Sequence, residues 1–428
     1  MTRIEATAPD RPNAVLLAVQ RTGVDDAAFA SSLDELARLA KTLRFAVVGR
    51  VTQRRARLDP GAVVGAGKLR ELAEWTDTRP DGAGPRAGLV LVDHELTPSQ
   101  ARNLERATGA EVLDRTAVIL AIFQRHARSR EARLQVEIAR LHYVAPRLRE
   151  TGGGADRQGG GIGGRGIGES SSELERRKVR DRIAELRAEL ASIERESSTR
   201  RSRRGGQNTV SLVGYTNAGK SSWMRALTGS GVLVADKLFA TLGTTVRALQ
   251  PAGAMRVLVS DTVGFIENLP HDLVASFRST LDEARESDLL VHVIDASDPA
   301  FEAQIAVTCE VLASIGATGS PRWMVLNKVD RLDAAACELL AAAHPDARLL
   351  SAKRPADVER LRAEIVAFFE RDMEEAEIFV PYALQRLVAS AHASGHVLDQ
   401  THDAAGTHLR VRATPQVLEQ LRSALRDG

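Results

Sequence analysis

Residues 208–221 read NTVSLVGYTNAGKS, an apolar run that breaks into a glycine-bounded turn and then opens the helix-like SSWMRALTG. The turn (Gly214, Tyr215, Thr216, Asn217, Ala218, Gly219, Lys220, Ser221) fits G-x-x-x-x-G-K-S with a strand before it and a helix after it. Glycines in such a turn let successive backbone N–H groups close around phosphate oxygens, aided by the positive end of the helix that follows. Lys220 is expected to reach the β- and γ-phosphates, and the Ser221 hydroxyl to coordinate Mg2+. Around this element the alternation MRVLVSD, LLVHVIDAS, RWMVLNKVD, ARLLSAK, with helical stretches between, predicts a mostly parallel sheet flanked by helices. Its site should lie at the strands' C-terminal edge.

Three further stretches fall at strand ends in the order such a site requires. Asp261, Thr262, Val263 and Gly264 follow VLVS; Asp261 is expected to act on Mg2+ through a water, and the Gly264 N–H to bond a γ-phosphate oxygen. Asn327, Lys328, Val329 and Asp330 follow WMVL. The Asp330 carboxylate can accept both N–H donors of a guanine edge, Lys328 can lie along the ring, and Asn327 can tie this loop to the phosphate loop. Adenine would leave that carboxylate unpaired, at a cost on the order of several kcal/mol. Ser351, Ala352 and Lys353 offer backbone N–H groups to the guanine O6. Between the phosphate loop and Asp261, Phe239, Ala240, Thr241, Leu242 and Gly243 form the expected first switch, with Thr241 chosen to cap Mg2+ and Thr244 and Thr245 open as alternatives. The set predicts a GTP hydrolase using GTP/GDP and Mg2+, with Lys220, Thr241 and Gly264 acting on the reacting phosphoryl group and Ser221 and Thr241 as metal ligands. Position 265, where many GTP hydrolases carry a water-orienting glutamine, is phenylalanine.

The 428 residues suffice for two or three domains. Residues 1–12 are expected to be a disordered tail. Residues 13–115 alternate AVLLAVQ, RFAVVGRV and GLVLVDHEL with helix-like stretches, predicting a small α/β domain in which Thr97 caps a helix with Pro98 in its first turn. Val64-Gly-Ala-Gly-Lys68 lacks the spacing of a second phosphate loop and reads as a turn into KLRELAEW. The pattern is helical from about Thr116 to Leu148, with Leu134, Ile138 and Leu141 on one stripe, and again from about Ser172 to Ser197, where Val179, Ile183, Leu186, Leu190 and Ile193 form a seam. Each stripe needs a partner, so residues 116–199 predict an antiparallel hairpin with its tip at 151–169. From Gly152 to Gly168 ten of seventeen residues are glycine, which is costly to order, so a mobile tip carrying Arg157 and Arg165 is expected. The GIGGRG at 161–166 has the letters of a dinucleotide fingerprint but no strand before it. A basic linker at 200–207, a nucleotide-binding domain at 208–372 and a small C-terminal α/β domain at 373–428 complete the expected plan.

Net charge is only +2, yet residues 115–205 carry 21 Lys+Arg against 12 Asp+Glu, an excess of nine that leaves −7 elsewhere. That asymmetry is the footprint expected of a nucleic-acid contact. No apolar run reaches the length of a membrane span and the first residues lack a signal-peptide core. Cys309 and Cys337 suggest reduced thiols rather than a disulfide framework, so a cytoplasmic location is expected.

On these residues, together with DHELTPSQARNLE (93–105), VLDRTAVILAIFQRHARSREARLQVEIARL (112–141), RQGGGIGGRGIGES (157–170) and LPHDLVASFRSTLDEARESDLLVHVIDAS (269–297), the chain resembles the HflX-type GTPases from about residue 60 onward. The resemblance implies binding to the 50S ribosomal subunit and its 23S rRNA, and splitting or rescue of ribosomes by a monomeric protein. Two stretches depart from the family pattern: Gly243-Thr244 stands where Asp-Pro is usual, and GESSSELE where Gly-Glu-Thr-x-Leu-Glu is common. A nucleotide-gated ribosome-binding module, in which hydrolysis only times release, is the alternative reading.

Overall fold

The first strand of the N-terminal sheet, β1 (Asn13–Arg21), is buried along almost its whole length, with one parallel strand along all of it and a second beside Ala14–Leu17. The computed structural model describes residues 12–77, 86–151, 171–202, 208–229, 238–239, 245–251, 256–267, 278–371 and 373–426. The expected tail residues 1–11, the hairpin tip from 152 with Arg157 and Arg165, and linker residues 203–207 lie outside these. The chain clusters into two units.

In the first unit β1 is followed by α1 (Asp26–Thr42), β2 (Ala46–Arg55), α2 (Ala66–Thr76), β3 (Leu89–Val92), α3 (Pro98–Thr108) and β4 (Glu111–Asp114). The sheet is parallel in the order β2-β1-β3-β4. Thr97 and Gln100 form a reciprocal capping box at α3, as the Thr-Pro start suggested. Strand β4 was not legible as a strand, since EVLD has only two apolar residues between two acids, unlike the all-apolar LVLV of β3. Gly65 leads into α2 as an ordinary helix start, with its N–H on Gln53 Oε1.

The helical stretch after β4 is broken, where one continuous pattern was expected. Helix α4 (Arg115–His126) ends at Ala127, whose backbone is extended, and α5 (Arg130–Thr151) starts afresh with Ser129 Oγ accepting the Ala132 N–H. A serine able to cap outcompetes continuation of the helix here. Most of the expected seam forms: Leu134, Ile138 and Leu141 of α5 pack with Leu186, Leu190 and Ile193 of α6 (Ser171–Ser202), while Val179 and Ile183, expected to continue it, are not part of this cluster. Arg130, in the first turn of α5, pairs with Glu189 in the second half of α6. Asp114, at the end of β4, fastens α5 by accepting from Tyr143 at 2.9 Å and Arg147 at 2.8 Å. Leu238 and Phe239 also cluster in this unit: the Phe239 ring meets Phe123 edge-on at 4.5 Å, and its carbonyl lies 2.7 Å from His126 Nδ1.

The second unit holds β5 (Asn208–Val213), α7 (Lys220–Thr228), β6 (Thr245–Ala248), β7 (Val257–Asp261), α8 (Arg278–Arg285), β8 (Leu289–Asp295), α9 (Phe301–Ser314), β9 (Arg322–Asn327), α10 (Ala334–Ala343), β10 (Arg348–Leu349) and α11 (Pro355–Glu370). Among the described residues the sheet order is β10-β9-β8-β5-β7-β6, parallel except for the short edge strand β6. The order reverses at β5, so the crevice at that strand's C-terminal end is where such sheets bind ligands. A smaller antiparallel sheet follows, β11 (Glu374–Pro381), β12 (His396–His402) and β13 (Gly406–Ala413), in the order β11-β13-β12. It packs its apolar face with α12 (Arg386–Ser394) and α13 (Pro415–Arg426). Among the described residues no helix is long and apolar enough to cross a membrane.

The two faces of the six-stranded sheet differ. Val210, Leu212, Val291 and Val293 join Trp223, Met224 and Leu227 of α7 and Leu361 and Ile365 of α11 in one apolar core. On the opposite face, by strand alternation, sit Ser211, Ser260 and His292, with Ser211 Oγ 2.7 Å from Ser260 Oγ and 3.2 Å from the Glu283 carbonyl of α8. His292 is buried and its Nδ1 has no hydrogen-bond partner among the described residues. Burial, with the positive charges of Arg322 and Lys220 nearby, pushes its pKa down to about 3. The unfolded chain therefore binds a proton that the fold excludes, and stability falls as pH drops from 6.5 towards 3. Going from pH 7.5 to 5 should cost the β8 region about 2 kcal/mol through this residue. Hydrogen exchange at the β8 amides should show that loss in the native chain and a shallower one in His292→Met.

Candidate nucleotide site

Four strand ends converge on the crevice. β5 delivers Gly214–Gly219, with Lys220 and Ser221 opening α7; β7 ends in Asp261; β9 ends in Asn327; β10 leads to Ser351. Gly214 and Gly219 have φ of +145° and +106°, and a Cβ on either would strike the Val293 carbonyl or Asn327 Nδ2. Only glycine allows that approach. Asn217, exposed at φ +60°, and Lys328, at φ +65°, take the same left-handed backbone without being glycine.

The Asn327 side chain joins the loops. Its Nδ2 donates to the Ala218 carbonyl at 2.7 Å, and its Oδ1 accepts the Ala352 N–H at 3.2 Å. Lys328 adds a second tie, from Nζ to the Asn217 carbonyl at 2.7 Å and to Asp295 Oδ2 at 2.6 Å. Asp330 is held by Ser351 Oγ at 2.7 Å and by Lys353 Nζ at 3.4 Å, and the Ser351 hydroxyl bond, ahead of the lysine, keeps its carboxyl below the usual range. An ionised carboxylate thus stands at the end of this loop. The N–H groups of Ser351 and Lys353, expected to be offered to a base, are used by Asp357 Oδ2 and Ser351 Oγ.

At the phosphate loop, the buried Lys220 ammonium donates to the Gly214 and Tyr215 carbonyls at 3.0 and 2.8 Å. Burial lowers its pKa to about 8 against the opposing pull of Asp261. Ser221 Oγ donates to Asp261 Oδ2 at 2.7 Å, so a hydroxyl and a carboxylate from two elements share one spot. Thr262 and Val263 face the core, Thr262 through a 2.8 Å bond to the Leu212 carbonyl, and Val329 is likewise buried. A Cβ on Gly264 would lie 2.9 Å from Thr216 Cα and 3.1 Å from Lys220 Nζ, so its backbone is pressed against the phosphate loop. Phe265 follows and pairs in parallel with Tyr215: the Phe265 N–H donates to the Gly214 carbonyl at 3.1 Å and the Thr216 N–H to the Phe265 carbonyl at 2.7 Å. The Phe265 ring is 1% exposed, sealed into the core.

Phe239 is the described member of the expected first-switch set, and its ring lies in the first unit; Ala240, Thr241, Leu242 and Gly243, with Thr244, lie outside the described residues. Sequence reasoning missed Asp295 and Asp357. The first had a signal, an acidic residue ending an apolar strand; the second, inside a helix, had none.

A phosphate loop at the sheet's reversal point, with an Asn-Lys-x-Asp strand end tied to it by hydrogen bonds, defines a P-loop GTP hydrolase. Comparisons narrow this. Residues 30–124 match the family described as GTP-binding GTPase N-terminal, 126–204 its Middle Region, and 209–328 the family described as 50S ribosome-binding GTPase. The chain is 54% identical to the GTPase HflX of Gluconacetobacter diazotrophicus, over 98% of this chain and 99% of that one. It is 39% identical to that of Caldanaerobacter subterraneus subsp. tengcongensis, over 98% and 95%. The chain belongs to the HflX GTPase family. Among solved structures it is similar to a GTP-binding protein from the archaeon Sulfolobus solfataricus in complex with GDP, with a TM-score of 0.45 and 25% identity over 83% of this chain and 97% of that one.

Because Asn327 is 2% exposed, its removal leaves the Ala218 carbonyl and the Ala352 N–H without their partner. Asn327→Ala should loosen both loops by about 1–3 kcal/mol. Amide exchange at Ala352 and Gly219 should accelerate at least about fivefold, while β8 amides stay protected.

Proposed function

We propose that GTP lies with its triphosphate in the turn Asn217–Ser221 and its guanine against Asp330, and that hydrolysis is accelerated by the 50S ribosomal subunit. Lys220, already buried and facing the loop, exchanges its carbonyl partners for phosphate oxygens. Asp330, ionised and pre-oriented by Ser351, reads the two guanine N–H donors; the Ala352 N–H, shared with Asn327, serves the O6. Mg2+ fits the Ser221 Oγ, with Asp261 Oδ2 beside it to act through a water. Among the described residues no group of three or more His, Cys, Asp or Glu could hold a metal, which suits an ion bound by few protein oxygens plus phosphates and waters. When bound, the ion offsets charge on the phosphate oxygens. Thr241 is the chosen second ligand from the first switch, and Gly264 N–H the donor to the γ-phosphate.

The observation that carries partner dependence is the burial of Phe265. The position that elsewhere orients water holds an apolar ring sealed in the core, so this chain supplies no polar side chain there. Hydrolysis alone should run on the order of 10⁻⁴–10⁻² s⁻¹, and a partner that completes the site gains roughly 10³–10⁵-fold in other GTP hydrolases. The partner reading is supported by the family described as 50S ribosome-binding GTPase at 209–328 and by the arginine excess at 115–205, a charge that rRNA phosphates would attract. On this reading the chain works as a monomer in the cytoplasm, inserting its helical pair towards 23S rRNA and splitting or rescuing ribosomes.

Turnover measured with and without 50S subunits tests the proposal: equal rates would remove the ribosome as activator. Light scattering of 70S particles, with GTP against a non-hydrolysable analogue, separates the two roles of the nucleotide. Splitting with the analogue would assign the work to binding and leave hydrolysis as a release timer. Asp330→Ala should weaken GTP and GDP binding by at least about 100-fold, the cost of losing a charged pair of hydrogen bonds.

A further inference from the structure

The phosphate loop and the segment after Asp261 are joined by a third bond that neither motif requires. Beyond the two backbone bonds between Gly214–Thr216 and Phe265, the Glu267 N–H donates to the Tyr215 hydroxyl at 2.7 Å. Tyr215 is 5% exposed, and its carbonyl is one of the two that hold Lys220. One residue of the phosphate loop therefore contacts both the phosphate-seeking lysine and the backbone three residues past Gly264. All of these bonds run from protein to protein.

A two-bond bridge at the end of a strand is prone to fray and to slip. Slippage by one residue would exchange the faces presented by Phe265 and its neighbours. Phe265 and Ile266 are each 1% exposed, so the register matters, and the hydroxyl fixes it at the far end where the ladder has stopped. Gly264 sits just before the bridge, against Thr216 and Lys220 with no room for a side chain, so any shift of the bridge is passed to the Gly264 backbone.

We propose that Tyr215 is a positioning residue for GTP hydrolysis: through Glu267 and Phe265 it holds the Gly264 N–H in place on the phosphate loop. With Phe265 buried, backbone placement takes over work that a polar side chain at 265 would otherwise do. This role rests on the proposed γ-phosphate contact of the Gly264 N–H and operates in the isolated chain, without the ribosome.

The test is single-turnover GTP hydrolysis by the full chain, protein in excess and no ribosomes, alongside GDP affinity and amide exchange. Tyr215→Phe keeps the ring and removes only the acceptor; Glu267→Pro removes the donor from the other side. Each should slow the rate constant about 3- to 10-fold, the equivalent of one hydrogen bond, and speed exchange at Phe265, with GDP affinity unchanged. The double variant should be no slower than the slower single one, because both delete the same bond. An unchanged or faster rate in Tyr215→Phe would overturn the proposal, as would multiplicative loss in the double variant or an equal loss of GDP affinity. Should Glu267→Pro fail to fold, the Tyr215→Phe rate decides alone.

Discussion

Close backbone approach at Gly214 and Gly219 is the constraint on which the site depends. With no Cβ at either position, the turn after β5 lies flush against the Val293 carbonyl of β8 and against the Asn327 amide at the end of β9. The approach brings Ala218 within reach of Asn327, whose other atom takes the Ala352 N–H, so a single primary amide spans loops from three strands. Lys328 repeats the device one residue on, reaching Asn217 and Asp295. A larger residue at either glycine would separate these loops by a side chain's width and break both ties.

The crevice so formed concentrates positive charge where water is scarce. Lys220 is buried with carbonyl oxygens for partners, and burial holds its pKa near 8, so an anionic oxygen would be a better partner than those it has. The sheet beneath is unequal. Its α7 and α11 side is a continuous apolar core, whereas the opposite side joins an apolar cluster around Ile294 and Leu326 to a polar strip of Ser211, Ser260 and a neutral His292. Apolar burial stabilises both clusters, about 25 cal/mol for each Å2 removed from water.

Most of the nucleotide site was legible because its chemistry is carried by backbone turns that demand particular residues. Gly214, Gly219, Asn327 and Asp330 occur in a fixed order at the ends of apolar runs, and each lies at the expected strand end. The short strands β4 and β6 and the break after His126 were not legible. EVLD and TVRA mix charged and polar residues into four positions and so lack the unbroken apolar run that marked β3, and the Ser129 cap competes with a helical pattern that continues on both sides of it. Asp357 donates no motif; its role appears only because α11 turns its first turn towards the Ser351 N–H.

By itself the sequence determined the phosphate loop, the Asn-Lys-x-Asp strand end, most of the helical seam and the family, since all are local patterns of glycine, charge and apolar spacing. Tertiary structure alone decided that Phe265 turns into the core, that the Tyr215 hydroxyl takes the Glu267 N–H, and that Phe239 packs beside Phe123. Those outcomes depend on which surfaces compete for each side chain once distant segments meet, and no local pattern records that competition.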